Sequence, residues 1–135
     1  MSLRYLLDTN IVSDLIRRPQ GPVAIQIAKA GEATICTSVV VAAELRYGAR
    51  QSSSKPLADR IDLLLSAIEV MPLEPPADRH YGEIRHRLTQ QGAMIGPNDL
   101  LIAAHTLALN LTLVTANARE FSRVPQLRTE NWLMD

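Results

Sequence analysis

Residues 3–10 read LRYLLDTN, and this stretch decides the fold class. Its apolar residues predict a short buried strand that ends at Leu7, and Asp8 with the two residues after it suits the start of a helix. The same change from strand to helix recurs along the 135 residues. Strands that alternate with helices are typical of a parallel sheet covered on both faces. In such a sheet, ligand-binding groups lie at the carboxyl ends of the strands.

The pattern of apolar residues and helix caps predicts four strands and seven helices in a single domain over residues 1–135. The predicted strands are residues 3–7, 33–37, 69–73 and 111–115, with an extended tail near residues 131–133. The predicted helices are residues 11–17, 22–30, 39–50, 57–68, 75–91, 98–109 and 119–121. Residues 51–56, QSSSKP, are a predicted loop that is too short to divide domains.

The composition is that of an ordinary globular protein with a net charge of zero, 47% hydrophobic and 21% charged residues. The net charge therefore does not mark a nucleic-acid binder. Lys29 and Lys55 are the only lysines among the 14 basic residues, and arginine suits bidentate phosphate contacts. No apolar run approaches the roughly 18 residues that cross a bilayer, and the chain reaches Asp8 too soon for a secretory signal. We expect a cytoplasmic protein without a membrane partner.

Two acidic residues stand at positions that suit either chemistry or helix capping. Asp8 follows the first predicted strand, where it binds a ligand or caps the next helix. Asp99 lies in the first turn of a predicted helix, where the helix dipole favours a carboxylate whatever its function. The apolar run after Asp99, residues 100–104, predicts a buried helix that could hold this acid rigidly in a cleft.

A third acid, Glu44, has the helical neighbours Val40, Val41, Tyr47 and Gly48, so its carboxylate lies in an otherwise apolar stripe. A buried charge needs a partner. The partner could be Arg46 or Arg50, a metal ion, or water at the rim of the stripe.

Together with Thr115-Ala116-Asn117, which follows the fourth predicted strand, these acids suggest one cleft. The Thr115 hydroxyl and the Asn117 amide could orient a metal-bound water or a phosphate, or form an Asx turn. Three carboxylates in one cleft repel, and a hard divalent cation such as Mg²⁺ relieves that repulsion. Such an ion can activate a water for phosphodiester cleavage. The sequence thus favours a magnesium-dependent hydrolase.

Other catalytic patterns receive little support from the sequence. His80, His86 and His105 lack a zinc-site spacing, and Ser38 lacks a nucleophile elbow. There is no glycine-rich phosphate-binding motif. Cys36, the single cysteine, is predicted to be a small buried core residue.

Four blocks of the sequence stand out when they are read together. They are Leu6-Leu7-Asp8-Thr9-Asn10, Glu44-Leu45-Arg46-Tyr47-Gly48, Gly96-Pro97-Asn98-Asp99 with Ala103-Ala104-His105, and Thr115-Ala116-Asn117-Ala118-Arg119-Glu120-Phe121. They resemble the PIN-domain family, specifically the VapC-type toxins of bacterial toxin–antitoxin modules. The resemblance covers essentially the whole chain in order, and the blocks jointly are far more specific than any one of them.

The resemblance implies a three-layer α/β/α sandwich with a central, mainly parallel sheet of four or five strands. It also implies a homodimer and an endoribonuclease that depends on Mg²⁺, with Mn²⁺ as a substitute. The implied partner is a small VapB-type antitoxin that inserts into the active cleft. Because relatives often cut structured RNA, the implied substrate is RNA, with tRNA as a hypothesis.

The resemblance also assigns roles to individual residues. Asp8 and Asp99 match direct metal ligands, and Glu44 matches a metal ligand or a residue that positions the attacking water. Many relatives carry a fourth aspartate where this chain has Asn117, and Glu120 could supply the missing charge. Asn117 is therefore a fourth predicted catalytic residue, and the supporting residues are Thr9, Asn10, Thr115 and Glu120.

Two other functions remain open at this point. A phosphoryl-transfer enzyme could use Asp8 as a covalent nucleophile, although such enzymes usually need a nearby lysine and this chain has Asn10 where they carry a second acid. A non-catalytic protein-binding module of the same fold would use the acids as helix caps, and the arginines and Trp132 at a protein interface.

Overall fold

A computed structural model of the chain describes residues 2–133, in which five strands form one sheet. The strands are β1 (Tyr5–Leu7), β2 (Ile35–Ser38), β3 (Glu69–Met71), β4 (Thr112–Val114) and β5 (Thr129–Glu130). Their order in the sheet is β3-β2-β1-β4-β5, and every neighbouring pair is parallel. The prediction of a mainly parallel sheet of four or five strands is confirmed.

Seven α-helices connect these strands within residues 2–133. They are α1 (Thr9–Arg17), α2 (Pro22–Ala30), α3 (Val39–Ser52), α4 (Lys55–Ala67), α5 (Ala77–Gln91), α6 (Pro97–Leu109) and α7 (Ala118–Phe121). All seven were predicted, with bounds that differ by a few residues at most. Within this part of the chain, no helix has the length and apolar character needed to cross a membrane.

The chain reverses its direction across the sheet once, and this reversal creates the crevice for a site. From β1 the chain moves outward to β2 and β3, and it then crosses back to β4 and β5. Because crossovers between parallel strands are right-handed, the helices before and after β3 lie on opposite faces. The predicted three-layer sandwich is therefore confirmed. β1 and β4 flank the switch point, where α/β sheets bind ligands.

The core is built around the central strands, whose residues are buried on both faces of the sheet. All residues of β1 and β2 are buried, as expected for strands that have helices above and below them. Phe121 is fully buried, and Trp132 packs edge-on against Tyr5 with 5.0 Å between the ring centroids. Cys36 lies in the core as predicted, and burial raises the pKa of its thiol to about 12.

Two local predictions were wrong, one at the loop between α3 and α4 and one at the start of the second strand. The predicted loop 51–56 shrinks to Ser53 and Ser54, because α3 continues to Ser52 and α4 starts at Lys55. Ser53 ends α3 in the left-handed region at φ 55°, and the Ser54 hydroxyl caps α4 by accepting from the Leu57 N–H at 3.2 Å. The predicted second strand begins two residues late, because residues 32–34 form a 3₁₀ turn.

Candidate active site

Asp8 lies at the end of β1 and serves both as a helix cap and as a site residue. Its Oδ1 accepts from the Thr9 N–H at 2.8 Å, which caps α1. Its Oδ2 accepts from the Thr115 hydroxyl at 2.7 Å. The side chain is held at the switch point between β1 and β4, since the Asp8 N–H donates to the Val114 carbonyl at 2.9 Å. The two interpretations of Asp8 are compatible.

Burial and neighbouring acids make ionisation of Asp8 unfavourable. Asp8 is only 3% exposed, and desolvation is the largest cause that raises its pKa above the ordinary value. The hydrogen bonds from Thr115 and Thr9 lower the pKa, while repulsion from Glu44 and Glu120 raises it further. A negative charge on Asp8 is therefore unfavourable, and within residues 2–133 no protein cation pairs with it.

Glu44 reaches this region from α3 and is half-buried. Its Oε1 accepts from the Thr9 hydroxyl at 2.6 Å, and its Oε2 accepts from the Asn98 side-chain amide at 3.3 Å. Arg46, one of the two predicted arginine partners, binds Asp62 at 2.5 Å instead. The carboxylate of Glu44 therefore meets neutral donors.

The apolar stripe predicted around Glu44 is only partly correct. Val41 is buried, but Tyr47 is 67% exposed and Gly48 is exposed. Tyr47 and Gly48 face solvent, so apolar residues flank Glu44 only on the side of α3 that carries Val41. Glu44 consequently sits at the rim of the core rather than inside it.

Asp99 lies in the first turn of α6 and is the most perturbed acid of the region. Its pKa is raised from 3.8 to about 7, first by burial and then by repulsion from Glu120 and Asp8. A hydrogen bond with Glu120 and repulsion from Glu44 act in the same direction. The structure thus brings together Asp8, Glu44, Asp99 and Glu120, which we call the carboxylate cluster.

Of the two candidates for the fourth acid position, Glu120 is the one that joins the cluster. Its carboxylate accepts from the Gly96 N–H at 3.1 Å, directly before the helix that carries Asp99. Asn117 is exposed, and its backbone N–H donates to the Thr115 hydroxyl at 3.0 Å. Within residues 2–133, the Asn117 side chain makes no capping hydrogen bond to α7. Asn10 is likewise exposed, on the first turn of α1.

Asn98 is a site residue that the sequence analysis missed. Its amide bridges from the start of α6 to Glu44 on α3, although the residues are 54 positions apart in sequence. A sequence signal did exist, because Asn98 directly precedes Asp99 in a helical first turn, where side chains point toward whatever lies beyond the helix end.

Cations of the protein do not neutralise the carboxylate cluster. Within residues 2–133, none of its four acids lies within ion-pair distance of a lysine, arginine or histidine. Over the same range, no three Asp, Glu, His or Cys side chains stand close enough to hold an ion as they are placed. The four carboxylates therefore repel one another when they are ionised. The donor set consists of oxygen atoms alone, and by its chemistry it fits a hard divalent cation such as Mg²⁺ or Mn²⁺.

Comparison with known proteins connects this arrangement to a family. The model of the PIN domain matches residues 5–127. The chain is 42% identical over 130 residues to ribonuclease VapC2 of Rickettsia felis, which covers 95% of this chain and 97% of the relative. It is 39% identical over 132 residues to the tRNA(fMet)-specific endonuclease VapC of Shigella flexneri, covering 96% and 98% of the two chains.

The fold agrees with solved structures of the same kind. In the crystal structure of Rickettsia felis VapBC2 bound to a promoter DNA fragment, one chain matches with a TM-score of 0.87 and 39% identity, covering 98% of this chain and 99% of that one. The protein therefore belongs to the PIN domain family and, within it, to the VapC ribonucleases.

Proposed function

We propose that this protein is a metal-dependent endoribonuclease and the toxin of a type II toxin–antitoxin module. The observation that carries the proposal is the carboxylate cluster. Neutral donors orient Asp8, Glu44 and Glu120, and none of the four acids has a cation partner within residues 2–133. A divalent cation held by such acids could bind the anionic phosphodiester of a substrate that the carboxylates alone would repel. The names of the VapC relatives support the choice of RNA as substrate.

The proposed cofactor is Mg²⁺, with Mn²⁺ as a substitute, held by Asp8, Asp99 and Glu44. When bound, the ion would supply Lewis-acid stabilisation of the phosphate and an acidified water. Asp99 must lose its proton to bind the ion, and its pKa of about 7 allows this near neutral pH. Glu120 supplies the fourth negative charge. In this chain, Glu120 rather than Asn117 would therefore take the role that a fourth aspartate has in many relatives.

The chain's own neutral residues hold the acids in place. Thr115 and Thr9 donate to Asp8 and Glu44, respectively, through hydroxyl groups, and this orients the carboxylates without neutralising them. Asn117 keeps a smaller role as an exposed polar contact for the RNA. Asn10, exposed at the start of α1, is assigned the same kind of contact.

The proposed partner is a VapB-type antitoxin, because solved relatives occur as VapBC complexes. A groove of about 420 Å³ begins at Thr9 and Glu44 and runs between α1, α3 and α4. A second apolar groove continues from it past Ile16 and Arg17 to Leu63, which is 73% exposed. We assign these grooves to the antitoxin, which would cover the site from the α1 side.

We further propose a homodimer that acts in the cytoplasm on tRNA. The name of the Shigella flexneri relative specifies tRNA(fMet) as its target, and the 39% identity makes tRNA the first substrate to test. Structured RNA also suits an enzyme whose basic residues are nearly all arginines.

The test is cleavage of purified total tRNA by the purified full chain with Mg²⁺ and with EDTA. We expect cutting in Mg²⁺ that EDTA abolishes. Asp99→Asn should reduce the rate by more than about 100-fold, because it removes a ligand charge from the site. Asp78→Asn is the matched control, since Asp78 is an exposed acid in the first turn of the neighbouring helix α5.

Three outcomes would contradict the proposal. Cleavage that persists in EDTA would exclude the metal, and equal losses in Asp78→Asn and Asp99→Asn would exclude a specific role for the cluster. A folded wild-type protein that cuts neither tRNA nor other cellular RNA, yet still arrests growth when expressed, would favour the protein-binding module.

A further inference from the structure

Two buried polar residues that the proposed chemistry does not use face each other between α3 and α6. His105 Nδ1 and the Ser38 hydroxyl oxygen are 2.8 Å apart. Ser38 is fully buried, and His105 is 1% exposed. A hydrogen bond sealed so completely from water constrains geometry, because breaking it leaves polar groups unsatisfied in the core.

The direction of this hydrogen bond follows from the other bonds of Ser38. The Ser38 hydroxyl oxygen already accepts from the Val40 N–H at 3.0 Å, which caps α3. Within residues 2–133, the hydroxyl proton has only His105 Nδ1 as an acceptor. The ring proton is therefore on Nε2. Burial lowers the pKa of His105, in agreement with a neutral ring, while the Pro72 backbone acts in the opposite direction. Nε2 nevertheless has no partner at normal hydrogen-bond geometry in the described residues.

The Ser38–His105 bond and the carboxylate cluster occupy two levels of one helix pair. On α3, Glu44 lies six residues after Ser38, the residue that caps the helix, and on α6 Asp99 lies six residues before His105. Asn98, next to Asp99, is bonded to Glu44, so the two helices run antiparallel between these contacts. At 1.5 Å per residue, each span is about 9 Å long. Val41 and Ile102, at the midpoint of these spans, are both fully buried.

We propose that the Ser38–His105 hydrogen bond locks the register of α3 against α6 and thereby sets the position of Glu44 relative to Asp99. His105 is a positioning residue in this proposal, which rests on the proposed function only in treating those two acids as metal ligands. The two observed contacts, Ser38 with His105 and Glu44 with Asn98, are separated by six residues along α3 and seven along α6. A fixed contact at one end therefore limits how far the helices can slide at the other.

The expected consequence of losing the lock is a poorer metal site. A slip of one residue moves one helix about 1.5 Å along the other. Oxygen ligands of Mg²⁺ lie at about 2.0–2.1 Å with little tolerance, so a shift of this size would separate the carboxylates that must share an ion. Binding of RNA away from the cluster would change less.

The test compares two amide substitutions at one position. His105→Asn places an oxygen where Nδ1 lies and can still accept from Ser38, whereas His105→Gln places its amide where Nε2 lies and cannot. We expect His105→Gln to weaken Mn²⁺ binding, measured by the free-ion electron paramagnetic resonance signal, by about tenfold. It should lower kcat for tRNA cleavage with little change in KM. His105→Asn should restore most of both losses.

Thr106→Val is the matched control, because Thr106 is a fully buried neighbour on α6 whose hydroxyl donates to the Ile102 carbonyl of its own helix at 2.8 Å. We expect it to lower stability without weakening Mn²⁺ binding. Equal Mn²⁺ affinity of the Asn and Gln variants would overturn the lock, as would an equal loss in Thr106→Val.

Crystal structures of the wild type and His105→Gln separate this proposal from the proposed function. An unchanged separation of the Glu44 and Asp99 carboxyl groups would overturn the lock whatever the activity. If the separation changes while the wild type binds no Mn²⁺ and cuts no RNA, the lock stands and the proposed function fails.

Discussion

The acids of the carboxylate cluster and the ion-paired acids of the other helices differ in the groups that contact their carboxylate oxygens. Elsewhere on the helices, three ion pairs are found within residues 2–133: Asp14 with Arg18, Asp62 with Arg46, and Asp59 with Lys55. In the cluster, Asp8, Glu44 and Glu120 accept hydrogen bonds from hydroxyl and amide groups instead. The chain has equal numbers of acidic and basic residues, 14 of each, so the difference lies in their placement.

Burial alone does not explain this difference. Asp14 is 1% exposed and Asp8 is 3% exposed, yet Asp14 has an arginine one helical turn away while Asp8 has two threonines. Neutral donors fix the direction of a carboxylate and leave its charge available. The comparison teaches that the fold tolerates repulsion in the cluster and leaves its acids without a protein cation within residues 2–133, as the proposed metal site requires.

The largest effect is expected when a cation is placed inside the cluster. In Asn98→Lys, the new ammonium group takes the place of the amide that bonds Glu44 at 3.3 Å. The lysine should neutralise the site as Arg18 neutralises Asp14, so tRNA cleavage should fall by about 100-fold. Thermal stability in EDTA should be maintained or increase, because the repulsion is relieved.

Ser66→Lys, at an exposed position on α4, is the control for added charge and should leave cleavage unchanged. Cleavage assays and thermal melts of both variants in EDTA decide the outcome. If Asn98→Lys cleaves tRNA at the wild-type rate, the cluster does not need to be free of protein cations.

A smaller effect is expected when a neutral donor is removed. Thr115→Val deletes the hydroxyl that donates to Asp8 at 2.7 Å while keeping the side-chain shape. We expect kcat to fall about tenfold and the free energy of unfolding to fall by about 1–3 kcal/mol. Urea unfolding and steady-state kinetics measure both, with Thr106→Val as the control for loss of a buried hydroxyl. Unchanged kcat in Thr115→Val would mean that the orientation of Asp8 is set elsewhere.

The sequence predicted the parts of this site that depend on local position. Asp8 ends a strand and Asp99 opens a helix, and both positions are readable from neighbouring residues. The switch point then follows from the alternation of strands and helices. What the sequence could not reveal are contacts between distant segments, such as Asn98 with Glu44 and Ser38 with His105, which lie 54 and 67 residues apart.

The fourth acid shows why local patterns fall short. Asn117 occupies the strand end where a side chain would be expected to enter the site, but it is exposed on the turn. Glu120 lies almost one helical turn further on, and the direction of α7 brings its carboxylate to the Gly96 N–H. That direction depends on the packing of Phe121 in the core, which cannot be calculated from residues 117–120 alone.

The repulsion in the cluster predicts a stability difference that depends on pH. The folded-state pKa of Asp99 is about 7 and its unfolded value is 3.8, so the folded state binds this proton more tightly. Its contribution to stability is therefore complete below pH 3.8 and is lost as pH rises toward 7. Asp99→Asn has no ionisable group at this position, so ionisation here does not lower its stability as pH rises. The variant should therefore be more stable than the wild type at pH 8 in EDTA.

After allowance for the partial exposure of Asp99, we expect a gain of about 1 kcal/mol, or about 3–5 °C in Tm. The gain should shrink at pH 4.5, and Mg²⁺ should raise the Tm of the wild type more than that of the variant. Thermal melts at both pH values, with Asp78→Asn as control, measure this. A gain that is the same at pH 4.5 and pH 8 would exclude ionisation of Asp99 as its cause.

The smallest effect is expected at the paired surface, where the charge is already neutralised. Asp62→Asn breaks the ion pair with Arg46, whose side chains are 63% and 56% exposed, and exposed pairs of this kind contribute little. We expect the free energy of unfolding to change by less than about 0.5 kcal/mol and tRNA cleavage to stay at the wild-type level. Urea unfolding and the tRNA assay check both values. A loss of cleavage in Asp62→Asn without a loss of stability would contradict this expectation, because it would show that the function of the cluster depends on an ion pair that does not include any of its acids.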